Sequence, residues 1–196
     1  MDLHPPTTAL VLVEFQNQWT APGLYNSLVK GQLGSRGVVE NARGLARAAR
    51  GAGGLVVHAP LILDPENKRG WLARATGARV FTKGTPKAEI TPGLYAEGDP
   101  VVGGRHGFDP FVGSDLEEIL RGSGIRTALF AGFATDQCPA KGLRTALGRG
   151  FEGYLVSDCT ATFTGFQQRR AERAFGRRTV SSGDVLAALG SRPAAA

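Results

Sequence analysis

The sequence predicts an α/β fold built on a mostly parallel sheet. Six short apolar runs alternate with segments of helical spacing along the 196 residues. The runs are continuously hydrophobic and rich in β-branched residues, which is typical of strands covered on both faces. Alternation of such strands with helices indicates parallel strands joined by helical crossovers. The predicted strands lie at residues 9–15, 54–60, 99–104, 126–133, 153–158 and 177–182.

Helical spacing is clearest in two of the connecting segments. Apolar residues recur every three or four positions in each, which predicts helices with one buried face. These residues are Val38, Val39, Ala42, Leu45, Ala46 and Ala49 in the first segment, and Val112, Leu116, Ile119 and Leu120 in the second. Residues 61–98 show no such period and carry many prolines, glycines and charges, so we predict a long surface excursion that shapes a pocket. The chain is expected to form one domain over residues 1–190, with a disordered tail at 191–196.

Composition and charge exclude several classes of function. The net charge is +6, and the densest basic run, "QQRRAERAFGRR", comes without a nucleic-acid recognition motif, so we predict a solvated helix face and no nucleic-acid partner. No apolar run reaches 18 residues and the amino terminus lacks the features of a signal peptide, so we expect a cytoplasmic protein without a membrane partner. Cys138 and Cys159 match no metal-site spacing, which predicts free thiols and no metal.

Three chemically capable residues follow three different predicted strands. Glu14 stands at the end of the first strand, Arg105 follows the third and Cys138 follows the fourth. Ligands of open parallel sheets bind beyond the carboxyl ends of the strands, so these residues are candidates for a common site. The alternatives are a capping or ion-paired carboxylate for Glu14 and a solvated or ion-paired arginine for Arg105.

Cys138 stands where the fourth predicted strand gives way to a helix. Pro139 follows it, and proline is favoured at the first position of a helix. A thiol at a helix amino terminus is favoured as thiolate by the helix dipole, and the free backbone N–H groups there can hold an oxyanion. The alternative is inert packing, which we prefer for Cys159.

Three segments of the chain resemble the isochorismatase-like cysteine hydrolase superfamily, which includes nicotinamidases and N-carbamoylsarcosine amidohydrolases. They are "ALVLVEFQNQW", "GGRHGFDPFVGSDLEEIL" and "GIRTALFAGFATDQCPAKGLRTALGRGFEGYLVSDCTATF", and the similarity runs from about Thr8 to Leu189. This resemblance implies a three-layer α/β/α fold with a six-stranded sheet of strand order 3-2-1-4-5-6. It also implies a small-molecule substrate and a homo-oligomer, either a dimer or a tetramer.

The resemblance assigns roles to the candidate residues. Cys138 becomes the nucleophile that forms a thioester, Glu14 stands where the family has an aspartate that moves protons, and Arg105 stands where it has a lysine. The backbone N–H groups of Ala134 and Cys138 become the oxyanion hole, beside a cis peptide between Phe133 and Ala134. The sequence therefore predicts a cysteine-dependent hydrolase of a C–N bond in a small amide, ureido or lactam-like substrate.

The substrate pocket is expected to include Trp19, Phe133 and Trp71. The metal site of nicotinamidases is not reproduced, because "VVHAPLILDPEN" contains only His58, which we interpret as a strand-end residue, and no cofactor is expected. The glutamate and the arginine both depart from the family pattern. They leave open a catalytically silent protein that binds a ligand or supports an oligomer, and a non-hydrolytic reaction in the same pocket.

Overall fold

The computed structural model of the protein describes residue 1, residues 3–68 and residues 70–190. Its centre is a parallel sheet of five strands in the order β2-β1-β3-β4-β5. The strands are β1 (Thr8–Val13), β2 (Leu55–Ala59), β3 (Thr127–Phe133), β4 (Glu152–Ala161) and β5 (Thr179–Val180). The predicted α/β class with a parallel sheet is confirmed. The predicted tail at 191–196 lies outside the described residues.

Helices cover both faces of this sheet. They are α1 (Asn17–Thr20), α2 (Leu24–Ser35), α3 (Val38–Gly51), α4 (Gly70–Thr76), α5 (Leu116–Gly122), α6 (Cys138–Gly148), α7 (Gly165–Phe175) and α8 (Ser182–Gly190), with short 3-10 turns at Pro5–Thr7 and Gly176–Arg178. Apolar residues of α3 and α8 pack in one cluster, and those of α5 and α6 pack in a second. No helix in the described part of the chain is long and apolar enough to cross a membrane.

The central strand β1 shows why the apolar runs are continuous. All six of its residues are buried. Leu10 and Leu12 belong to the cluster on the α3 side, whereas Ala9, Val11 and Val13 belong to the cluster on the α6 side. Successive side chains of a strand point to opposite faces, so a strand between two helix layers must be apolar at every position.

The third predicted strand, residues 99–104, is reduced to one bridge, which corrects the expected strand count from six to five. Within residues 99–104, only Val101 forms a bridge, in parallel with His58, through bonds from His58 N to Pro100 O (2.9 Å) and from Val102 N to His58 O (2.8 Å). A proline cannot donate to a ladder, and Gly103 and Gly104 follow at once, so the pairing ends. The segment nevertheless lies beside β2, where the predicted strand order places it.

Residues 61–98 are less irregular than the sequence indicated. The described part of this segment contains the helix α4 and a bridge between Leu63 and Thr82, and a second bridge joins its Ile90 to Gln16 earlier in the chain. The second bridge ties the excursion to the chain just after β1. The excursion therefore packs over the carboxyl ends of the strands.

Candidate active site

The three predicted residues Glu14, Arg105 and Cys138 come together at the carboxyl edge of the sheet. Glu14 follows β1, Cys138 opens α6 after β3, and Arg105 lies in the loop beyond the single bridge at Val101. An ion pair of 2.5 Å joins Arg105 to Glu14, and the Cys138 thiol interacts electrostatically with both. All three are buried, with the Glu14 and Arg105 side chains only 2% and 1% exposed.

Glu14 directly follows β1 and has a left-handed backbone conformation, with φ at 55°. Its backbone N–H still donates to Ala59 of β2 (3.1 Å), so the turn begins at the last rung of the sheet. Each carboxylate oxygen has its own donor: Nη2 of Arg105 binds Oε1 at 2.5 Å, and Nε1 of Trp19 binds Oε2 at 3.0 Å. A positive φ is uncommon for a residue with a side chain, and such strained residues are enriched at functional sites.

Arg105 is fixed by backbone carbonyls as well as by the carboxylate. Its guanidinium donates to Ala59 O (2.8 Å), Gly107 O (3.0 Å) and Phe108 O (3.4 Å). Burial alone would lower the pKa of Arg105, but the negative charge of Glu14, its hydrogen bond and the interaction with the Cys138 side chain outweigh burial and raise the pKa above its usual value. Arg105 is therefore a permanent cation and does not exchange protons with the site.

Cys138 differs from the sequence-based expectation in its ionisation. Its place at a helix start predicted a favoured thiolate, yet burial and the neighbouring charge of Glu14 raise the pKa of the thiol well above its usual value, against the lowering influence of Arg105. Desolvation disfavours the charged form of a buried thiol, and here it exceeds the stabilisation by the cation. Cys138 is thus a protonated thiol that needs a base, and the base in contact is Glu14.

Two backbone N–H groups beside the thiol are available for hydrogen bonding. Within the described residues, no acceptor contacts the N–H of Ala134 or of Cys138. The Phe133–Ala134 peptide is cis, as predicted. These are the two groups that the sequence resemblance assigned to an oxyanion hole, and the fold leaves both of them unpaired.

The loop that carries these groups is held by residues that the sequence analysis missed. Thr135 donates from its backbone to Ala161 O (3.1 Å) and from its hydroxyl to the buried Gln168 (2.7 Å), and Thr162 donates to Asp136 (2.6 Å). Gln168 stands 33 positions away from Thr135, in α7 and within the basic run that begins at Gln167. Its only sequence signal is a polar residue on the inner face of an amphipathic helix.

Gly132 allows β1 and β3 to approach closely just before the site. It has a φ of 126°, and a Cβ at this position would lie 1.8 Å from the carbonyl oxygen of Val13. Only glycine fits such a backbone contact. This contact places Phe133 and Ala134 beside the end of β1, where Glu14 begins.

The three predicted pocket residues are divided between two places. Trp19 stacks on Phe133 with ring centroids 5.7 Å apart and planes at 16°, so these two are together next to Glu14. Trp71 is 59% exposed and packs edge-on against Phe108, with centroids 5.2 Å apart. Among the described aromatic contacts, none joins Trp71 to Trp19 or Phe133.

Gln16 is a further residue that sequence reasoning did not single out. Its fully buried amide donates to Leu61 O (3.0 Å) and Ala88 O (2.7 Å) and accepts from Leu61 N (2.9 Å). All three bonds join Gln16 to the excursion 61–98. Gln16 therefore fixes the excursion to the turn that carries Glu14.

His58 is buried in β2 and pairs with Asp99. Its Nε2 lies 3.0 Å from Oδ2 of Asp99, which also binds Arg50. Burial lowers the pKa of His58 in spite of the carboxylate, so the ring is neutral at neutral pH. Within the described residues, no cluster of three or more histidine, cysteine or acidic side chains comes together.

A cavity of about 260 Å³ borders the site on the side of the excursion. Its wall includes Arg105, Lys83, Asp64 and His106. The Lys83 ammonium is exposed and pairs with Asp64 at 2.9 Å. The cavity has the size and polarity suited to part of a small charged molecule.

The sequence is similar to one protein family and to known amidohydrolases. A family model described as the isochorismatase domain matches residues 8–181. The maleamate amidohydrolase of Pseudomonas putida is 28% identical over 156 residues, which cover 77% of this chain and 70% of that protein. The ureidoacrylate amidohydrolase of Agrobacterium fabrum is 26% identical over 180 residues, covering 81% of this chain and 77% of that protein.

Solved structures with the same fold include three that cover nearly the whole chain. A cysteine hydrolase from Pseudomonas syringae superposes with a TM-score of 0.86 at 20% identity, covering 97% of this chain and 96% of its own, and shows the fold alone. An isochorismatase family protein from Desulfovibrio vulgaris has a TM-score of 0.77 at 28% identity, covering 92% and 98%. N-carbamoylsarcosine amidase from Thermoplasma acidophilum has a TM-score of 0.73 at 25% identity, covering 90% and 96%.

Proposed function

This chain belongs to the isochorismatase family, and on that premise we propose that it is a cysteine-dependent hydrolase of a C–N bond in a small amide, ureido or lactam-like substrate. The observation that carries the proposal is the burial of the Cys138 thiol beside one acid and one fixed cation, Glu14 and Arg105. The amidohydrolase names of relatives that match most of the chain support the reaction class.

The first half of the reaction forms a thioester. Glu14 accepts the thiol proton while the Cys138 sulfur attacks the substrate carbonyl carbon, and the carbonyl electron pair moves to the oxygen. The unpaired N–H groups of Ala134 and Cys138 donate to this oxyanion, and one such donor contributes about 10²–10³ in rate. Glu14 then returns the proton to the leaving nitrogen as the C–N bond breaks.

The second half releases the acid and regenerates the thiol. Glu14 takes a proton from water, the resulting hydroxide attacks the thioester, and the proton returns to sulfur as the C–S bond breaks. A positioned acid and base contributes about 10²–10⁴ in rate. Arg105 stays protonated throughout and offsets the negative charge that moves between sulfur and carboxylate.

Turnover of defined amides by cysteine variants tests the proposal. The panel is maleamate, ureidoacrylate, N-carbamoylsarcosine and a simple lactam, with products quantified by mass spectrometry. Cys138→Ala is expected to lose at least about 10³-fold in kcat, while Cys159→Ala, at a buried thiol with no assigned role, stays within about threefold. Full turnover by a folded Cys138→Ala protein would exclude the mechanism.

Alkylation by iodoacetamide tests the role of Glu14 without a substrate. Because the charge of Glu14 raises the pKa of Cys138, Glu14→Gln is expected to alkylate faster than wild type at the same pH between 7 and 9. Peptide mapping assigns the reaction to Cys138. An unchanged or slower rate in Glu14→Gln would show that the carboxylate does not act on the thiol.

The tight Glu14–Arg105 pair favours a second candidate, a catalytically silent protein that binds a ligand. Both oxygens of Glu14 already have donors, and the Arg105 fork is fixed by carbonyls. The double variant Glu14→Asp with Arg105→Lys separates the two candidates. Activity that appears only in the double variant supports the silent protein, and activity that is present in the wild type and lost in the double variant supports the enzyme.

A further inference from the structure

We propose that Trp19 is a positioning residue for Glu14, acting through its indole N–H. The inference deepens the proposed function, and only its kinetic consequence rests on that function. Trp19 was expected from the sequence to line the pocket with its ring. In the structure, the indole nitrogen of Trp19 also donates a hydrogen bond to Glu14.

The indole nitrogen is bound to the carboxylate that would move the proton. Nε1 of Trp19 donates to Oε2 of Glu14 at 3.0 Å, while Oε1 takes the Arg105 guanidinium at 2.5 Å. Trp19 is 5% exposed, so this bond is sheltered from water. The carboxylate is thus held from two sides by two donors of different kinds.

A second donor has a specific effect on a glutamate. With three side-chain torsions, a glutamate held at one oxygen can still rotate its other oxygen away from the thiol. Fixing the second oxygen removes that freedom, and displacement of a reacting group by about 1 Å can cost about a hundredfold in rate. A carboxylate oxygen has two lone pairs, so each oxygen that accepts one bond can still accept the thiol proton.

The donor itself is rigid. The ring of Trp19 stacks on Phe133 and meets Tyr25 edge-on, with centroids 5.0 Å apart and planes at 76°. Its backbone carbonyl accepts a bond from Asn26 (2.9 Å). Phe133 precedes Ala134, one of the two unpaired N–H groups, so the same stack links the position of the base to that of the oxyanion donors.

Loss of the N–H is separable from loss of the ring. Trp19→Phe keeps an aromatic ring in contact with Phe133 and removes the indole donor from Oε2 of Glu14. If Trp19 only packs, Trp19→Phe leaves the reaction rate nearly unchanged. If Trp19 positions Glu14, the same substitution lowers the rate.

The spectrum of the indole groups tests the contact directly. The chain has two tryptophans, so the ¹⁵N-labelled full chain gives two indole N–H resonances, and Trp71, which is exposed, is the internal control. Glu14→Gln is expected to move the Trp19 resonance and to speed its exchange with water at least tenfold, while the Trp71 resonance stays in place. Glu14→Asp, whose carboxylate is shorter by one methylene, provides the same test if Glu14→Gln does not fold. An unchanged Trp19 resonance and exchange rate in a folded Glu14 variant overturns the proposal.

Kinetics tests the consequence. On the amide that the wild type hydrolyses, Trp19→Phe is expected to lower kcat at least tenfold with KM within threefold. Phe81→Leu removes a ring that contacts Trp19 but no bond to Glu14, and is expected to keep kcat within threefold. An unchanged kcat in folded Trp19→Phe overturns the positioning role. If the wild type hydrolyses no amide, the proposed function fails, while the spectrum still decides whether Trp19 holds Glu14.

Discussion

Replacement of Arg105 by methionine is expected to be among the most destabilising single changes in the sheet's carboxyl edge. The substitution keeps a long apolar stem but removes the charge and every donor. Glu14 would then remain as a buried carboxylate without its cation, and three carbonyl oxygens, those of Ala59, Gly107 and Phe108, would lose a donor.

The magnitude follows from the burial of the pair. Removing one partner of a buried ion pair costs about 3–5 kcal/mol, because the remaining charge is uncompensated. Arg105→Lys keeps the charge on a single ammonium that cannot reproduce the fork, and we expect an intermediate loss of about 1–3 kcal/mol from the unmade hydrogen bonds. Arg178→Met is the matched surface control: its partner Glu152 lies at 2.8 Å and the two side chains are 38% and 62% exposed. Such a pair contributes less than about 1 kcal/mol.

Urea denaturation at pH 7 measures the free energy of unfolding of the three variants and the wild type. The expected order of stability is wild type close to Arg178→Met, then Arg105→Lys, then Arg105→Met. An Arg105→Met protein within about 1 kcal/mol of wild type would refute the argument, as would an equal loss in Arg178→Met. The first result would show that the buried pair does not stabilise the fold, and the second that burial does not set the size of the loss.

Two further predictions concern the sheet. Gly132→Ala places a Cβ against Val13 O, and overpacking is expected to lower the free energy of unfolding by roughly 1–3 kcal/mol in urea denaturation. The control Gly44→Ala, at an open helix position, is expected to raise it by roughly 0.5–1 kcal/mol. Equal effects of the two substitutions would contradict the close approach of β1 and β3. Because the pKa of His58 is lowered by burial from its ordinary 6.5, the unfolded chain binds a proton below that pH that the folded chain does not, so stability falls as pH drops from 7 to 5. His58→Gln is expected to flatten this fall, and an identical slope in both proteins would count against it.

Local sequence signals predicted the elements that carry the site. The apolar run before Cys138 and the proline after it both lie within a few residues of Cys138. The end of the strand and the start of the helix could therefore be located from the sequence. The same is true of Glu14 at the end of β1. The valines at 101–102 predicted a strand that does not form. Pro100 has no N–H to donate, and Gly103 donates its N–H to Asp115 and not to a neighbouring strand.

Local sequence signals could not predict contacts between residues that are far apart in the chain. Thr135 and Gln168 are 33 residues apart, and Gln16 meets Ala88 at a separation of 72. Trp19 is near Glu14 in sequence, but the bond from its indole to the carboxylate depends on the backbone turn after β1, where Glu14 has a positive φ and α1 begins at Asn17, and on the packing around both side chains.

The sequence by itself therefore predicted the fold class from its periodicity and the three candidate residues from their places after predicted strands, because these are local properties. The family followed from the resemblance of three segments. Only the tertiary structure decided how those residues behave together. It buried Cys138 beside Glu14, which raises the pKa of the thiol where the helix start alone favoured thiolate. It also paired Glu14 with both Arg105 and Trp19. Desolvation and charge pairing depend on what packs around a group, and residues distant in the chain supply that packing.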